Sequence, residues 1–245
     1  MSSPVPDRNA SFHTTQWSIV VAAGQRDGSG VQPALTALCQ RYWSPLYAYA
    51  RRKGFSSEDA SDGVQSFFVR LLEKPFLQTA DKERGRFRTF LLTAFQRFLL
   101  NELDRRHAQK RGGLVTMDPR DVSEVDSHVS GLSDRDNAEA LFERRWALTL
   151  LNQVLQRLEQ ETKDKGRQDL FDLCRAFLVV DESRLPVADI AARTQTSESA
   201  VKVFVHRLKT RYRELLLEEV RSTVDNDSEV ADELQALFRA VSESG

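Results

Sequence analysis

The chain has 245 residues, of which 40% are hydrophobic and 29% charged, and it carries a formal net charge of −1. That suits a globular protein with one large or two small domains, each able to bury a core. Cys39 and Cys174 are far apart in apolar surroundings, and His13, His107, His128 and His206 are scattered, so neither a disulfide framework nor a zinc site is expected. No apolar run is long enough to cross a bilayer, and "MSSPVPDRNASFHTTQ" lacks the apolar core of a signal peptide. The expected location is the cytoplasm, away from membranes.

Strand signals are scarce and helical spacing recurs throughout, which predicts an all-α chain. A first helix is expected over "TQWSIVVAAGQ", ended by "RDGSG". The next, "QPALTALCQRYWSPLYAYARRKG", carries Leu35, Leu38, Cys39, Tyr42, Leu46, Tyr49 and Ala50, with Pro45 placed to kink it. Ser57 suits an N-cap for a third helix, with Glu58 and Asp59 in its first turn and an apolar stripe of Val64, Phe67, Phe68, Leu71 and Leu72.

A helix from about Phe87 to about Gln109 follows a basic loop. Over residues 82–111, Lys82, Arg84, Arg86, Arg88, Arg97, Arg105, Arg106, Lys110 and Arg111 face only Glu83, Glu102 and Asp104, nine charges against three. Gly112 and Gly113 stop the helix. Residues 112–137 are polar and acidic and read as a linker. As a flexible coil it would span on the order of 28 Å, with an extended limit near ~85 Å. It divides a domain at 14–111 from one at 138–222.

The second domain opens with "AEALFERRWALTLLNQVLQRLEQE", whose buried face is expected to hold Leu141, Trp146, Leu150, Val154, Leu155 and Leu158. Then comes "VADIAARTQTSESAVKVFVHRLKTRY", which fits a helix-turn-helix. Pro186 would be the first helical residue and Val187, Ile190 and Ala191 an apolar face. Thr194, Gln195 and Thr196 would make the turn, with Ser197 as N-cap of the second helix. That helix puts Val201, Val205, Leu208 and Tyr212 on one side, leaving Lys202, Val203, Phe204, His206, Arg207 and Lys209 to meet DNA. Lysine and arginine neutralise phosphates, and valine and phenylalanine can touch a thymine methyl. Gln195 stands where such turns usually hold glycine, which would strain it if its φ is positive. A basic amphipathic hairpin with a solvated face would show the same pattern. The tail, residues 223–245, holds a short acidic helix in "SEVADELQALFRAVSE" that could mask the basic one.

Together these stretches resemble the extracytoplasmic-function (ECF) branch of the sigma-70 family, over about residues 14–111 and 138–220. In that branch a region 2 domain and a region 4 domain are joined directly. "YWSPLYAYARRKGFSSEDASDGVQSFFVRLLEK" is similar to regions 2.1 and 2.2. The resemblance implies that Asp59, Asp62, Gln65 and Phe68 dock on the β′ clamp helices of core RNA polymerase. Ser61, Gly63 and Ser66 depart from the usual Glu, Leu and Glu. "RFRTFLLTAFQRFLLNELDRRHAQKR" is similar to regions 2.3 and 2.4, which implies that Phe90, Arg97, Asn101, Arg105 and Arg106 melt and read the −10 element. Phe90 stands where a tryptophan is common. "ADIAARTQTSESAVKVFVHRLKTRYREL" is similar to region 4.2, the reader of the −35 element. Val203 and Phe204 replace the usual Ser and Arg.

The implied function is a sigma factor, with core polymerase (β′ clamp helices and β flap) and promoter DNA as partners, and room for an anti-sigma factor. No Ser-His-Asp, Walker or metal motif is present, so neither an enzyme nor a cofactor is expected. The other reading is a self-sufficient helix-turn-helix regulator that binds an operator, as a dimer, without polymerase.

Overall fold

The computed structural model describes residues 31–71, 86–110, 132–178, 184–224 and 226–242, with side-chain environments over 36–71, 86–105, 138–178, 184–224 and 226–242. The helix expected over "TQWSIVVAAGQ" and most of the acidic linker lie outside the described residues. Among the described residues there is no strand.

Three helices form the N-terminal part: α1 (Val31–Arg52), α2 (Ser57–Leu71) and α3 (Phe87–Lys110). α1 runs through Pro45 as one element. It ends at Gly54, whose φ of 91° lies in the left-handed region where a side chain would be strained. α2 is capped one residue earlier than expected. The Ser56 hydroxyl accepts from the Asp59 backbone N–H (3.0 Å) and donates to the Asp59 carboxylate (2.8 Å). Aromatic rings fill the space between the three helices. Phe95 meets Phe67 edge-on at 5.0 Å and Tyr49 at 6.3 Å, and Phe98 lies 5.7 Å from Phe67. Gly63 lets α2 approach α3, since a Cβ there would already touch Leu99 at 3.4 Å.

The C-terminal part contains α4 (Leu132–Asp164), α5 (Gln168–Cys174), a 3₁₀ turn at Arg175–Leu178, α6 (Val187–Arg193) and α7 (Glu198–Thr223). A second 3₁₀ turn at Asp227–Glu229 leads into α8 (Val230–Ser242). α4 is the spine, about 50 Å long at the helical rise, and α1, α7 and α8 all pack on it. Its fully buried line is Ala138, Phe142, Trp146, Leu150, Val154 and Leu158. The i, i+4 step takes in Phe142 and leaves the expected Leu141 and Leu155 only half-buried.

The linker separates α1 from α4 in sequence, yet the two helices pack together. The apolar stripe on α1 is wide enough to serve both α2 and α4, and it buries Leu38, Tyr42, Leu46, Tyr49 and Ala50. Polar side chains seal the seam. Arg41 donates to Gln153 on α4 (3.0 Å) and Glu219 on α7 (2.5 Å), and Gln96 on α3 donates to Glu139 (3.0 Å).

α7 is held to α4 by Arg211, which donates to both oxygens of Glu161 (2.8 Å each). Those hydrogen bonds hold the Glu161 carboxyl below its ordinary value. A depressed carboxylate contributes stability above its unfolded pKa, and that contribution is lost as pH falls through the folded one. Acid titration of stability in Glu161→Gln should therefore show a shallower loss than the parent chain below the usual glutamate range. Phe95→Ala, which empties the centre of the aromatic cluster, should cost about 3–5 kcal/mol in urea denaturation.

Candidate nucleic-acid interface

α6 and α7 are joined by four residues, 194–197. Pro186 is the N-cap of α6 and Val187 its first residue, one position later than expected. The Ser197 hydroxyl accepts from the Ala200 N–H at 3.2 Å, as an N-cap should. Gln195 has a φ of 53°, so a residue with a Cβ occupies the left-handed position the turn requires. Thr194 and Thr196 brace it through their hydroxyls, 3.0 Å apart.

Helical geometry divides α7 into two faces. At 3.6 residues per turn, Lys209, Lys202, Arg213, His206, Thr210, Val203 and Arg207 fall within about 160° of the circumference. All seven are exposed, Val203 by 50%. The opposite arc holds Val201, Phe204, Leu208 and Leu215, all buried. Phe204 was expected among the DNA-facing residues and is instead part of the core. It stands three residues after Val201 and four before Leu208, a spacing that already marks the buried stripe. Sequence reasoning also missed Thr210 and Arg213, which the same wheel puts beside Lys202. Lys202 pairs with Glu198 at 3.5 Å, an exposed contact that competes weakly with a phosphate. Arg211, though in the same basic run, is committed to Glu161. The tail does not mask this face: α8 packs on α4 and the later part of α7, and Lys202, His206 and Arg207 are exposed.

α3 presents a second stripe. Phe90, Thr93, Arg97, Leu100, Asn101 and Asp104 share one side of the helix. Arg97 and Asn101 are exposed and Leu100 is 45% exposed. Phe90 is half-buried beside Phe87, its ring centroid 6.2 Å away. Arg105 sits on the flank and pairs with Glu102 at 2.7 Å. Arg106 lies in the helix, but its side chain is outside the described residues. Arg86 and Arg88, counted in the basic surplus of this segment, turn inward to Glu233 and Glu143.

On α2 the exposed stripe is Glu58, Asp62, Gln65, Ser66 and Val69, with Val69 61% exposed. Asp59 is half-buried at the cap. Phe68, expected to dock on a partner, is 5% exposed and stacks on Trp43 at 6.3 Å. It lies one turn from Val64 and beside Phe67 on the apolar stripe, so the core takes it. Trp43 itself is 37% exposed at the edge of this surface.

No described helix is long and apolar enough to cross a membrane. Residues 38–109, which include most of α1, all of α2 and nearly all of α3, match the family model for sigma-70 region 2. No curated protein and no solved structure matches the chain.

The left-handed Gln195 makes a directional prediction. Removing its Cβ relieves about 1–2 kcal/mol of strain, offset by the greater chain entropy of glycine. Gln195→Gly should stabilise the protein by about 0.5–1 kcal/mol, read as a higher midpoint in thermal or urea unfolding.

Proposed function

We infer that this chain, a sigma-70 family sigma factor by its region 2 domain, serves RNA polymerase in transcription initiation as a factor of the ECF type, with no catalysis of its own. The match over residues 38–109 carries the reading. The exposure of Asp62 and Gln65 on one helix and of Arg97 and Asn101 on another supports it. In this reading Asp62 and Gln65, with Asp59 holding the start of α2, dock on the β′ clamp helices. Phe90, Arg97 and Asn101, flanked by Arg105 and Arg106, engage the melted −10 strand. The α6–α7 pair acts as a region 4 helix-turn-helix, touching the β flap and setting Lys202, Val203, His206, Arg207 and Lys209 into the −35 major groove.

A net charge of −1 fits such a factor. Affinity for free duplex DNA comes mainly from phosphate neutralisation, and here cationic side chains are confined to short helical faces. Polymerase supplies the non-specific attraction, and two weak readers on one scaffold gain avidity.

The test is reconstitution. Purified core polymerase plus this chain should initiate at a cognate promoter, while the chain alone shifts the same DNA only weakly. Tight binding to a palindromic operator without polymerase, and no affinity for the core enzyme at micromolar concentration, would replace this reading with that of a self-sufficient regulator. In the reconstituted system Lys202→Ala should lower the slope of log affinity against log salt by about 1. Phe90→Ala should slow strand opening by about tenfold to a hundredfold, the loss of one base stack.

A further inference from the structure

A narrow slot lies between α2 and α3, beside the exposed stripe of α2, and Asp62 and Ser66 belong to both. Phe98 and Leu99, both buried, form its floor, with Phe55 and Leu103 half-buried at its sides. The slot exists because residue 63 has no side chain. A Cβ on Gly63 would touch Leu99 at 3.4 Å, and the leucine usual at this position would itself occupy the space. Asp62 is exposed, and Asp59 and Glu102 stand closer to solvent than the floor. The slot is therefore apolar within and acidic at its mouth. Glu102 is shared with Arg105 at 2.7 Å and Asp59 with the Ser56 cap at 2.8 Å, whereas Asp62 has no ion pair among the described residues.

We propose that this slot takes one lysine or arginine side chain of core RNA polymerase, its stem against Phe98 and Leu99 and its charge at Asp62, and that Gly63 is a specificity-determining residue of the docking face. Three observations carry this. The first is size. The slot measures about 40 Å³, room for roughly three waters and far below the roughly 300–1,000 Å³ of a small-molecule site. It admits the end of one extended side chain and no more. The second is charge complementarity. An aliphatic stem with a cationic head matches an apolar floor beneath an acidic mouth, and a partner without that cation would cover the Asp62 carboxylate and leave it unpaired. The third is continuity, because the slot opens onto the stripe that already holds Asp62 and Gln65. The identity of the partner rests on the docking role proposed above; the chemistry of the occupant does not.

The affinity of the full chain for purified core polymerase tests it. Gly63→Ala puts a methyl group into the slot, and Asp62→Asn removes the charge at its mouth. Each should weaken binding about tenfold, the loss of one charge-assisted hydrogen bond. The double variant should lose about the same tenfold and not the product, since both changes remove one contact. Gly63→Ala should at the same time raise the midpoint of thermal unfolding, because alanine is the better helix former and its Cβ meets Leu99 only at an ordinary contact distance. Weaker binding by a more stable chain is not a folding defect. Where Gly63→Ala folds poorly, Asp62→Lys decides. It sets a cation of the chain's own at the mouth and should weaken binding more than about a hundredfold with the unfolding midpoint unchanged. Parent affinity in Gly63→Ala or in Asp62→Lys, or multiplying losses in the double variant, overturns the slot and leaves the docking reading standing. A parent chain that does not bind the core enzyme at micromolar concentration overturns the docking reading, and the assigned partner with it.

Discussion

Arg88 is the constraint that organises this molecule. A guanidinium taken out of water costs several kcal/mol unless its charge is paired and hydrogen-bonded. Glu143 and Glu233 meet that demand from two different helices, and Trp146 supplies the face beneath. The two carboxylates hold the Arg88 guanidinium protonated against its own burial. Around this point the first turn of α3, the middle of α4, the end of α7 and the first turn of α8 take fixed positions. The nearby Tyr42 hydroxyl is fully buried, which pushes its pKa well above the ordinary phenol value.

The same residue types have opposite roles a few positions apart. Arg86 and Arg88 join helices, whereas Arg97 faces solvent. Arg211 clamps α7 to α4, whereas Arg207, one turn earlier, is exposed. A count of basic residues therefore overstates the charge available to a polyanion. What remains outward forms narrow stripes on α3 and α7.

Close packing explains the residues that moved. Phe68 and Phe204 were candidates for contact with partners, yet each stands on the buried stripe of its helix and is under 10% exposed. A large ring on that face fills core volume that the close-packed interior needs filled. Val203, expected to face outward, is 50% exposed, and Val69 is 61% exposed. A helical wheel separates both pairs, so this part of the site was legible from spacing alone.

The sequence by itself determined most of the described helices and most of their outward faces, because these follow from a 3.6-residue period and local hydrogen bonds. It located α3 to within a residue at each end, the Ser197 cap and the demanding position at Gln195. Only the tertiary structure decided that α1 packs on α4, that Arg88 finds Glu233 across the chain, and that the acidic last helix seals a seam rather than covering the basic face. The Arg88–Glu233 pair alone joins residues 145 positions apart. Local periodicity marks a face as buried, and which distant face buries it is set by how the whole set of helices fills space and pairs its inward charges.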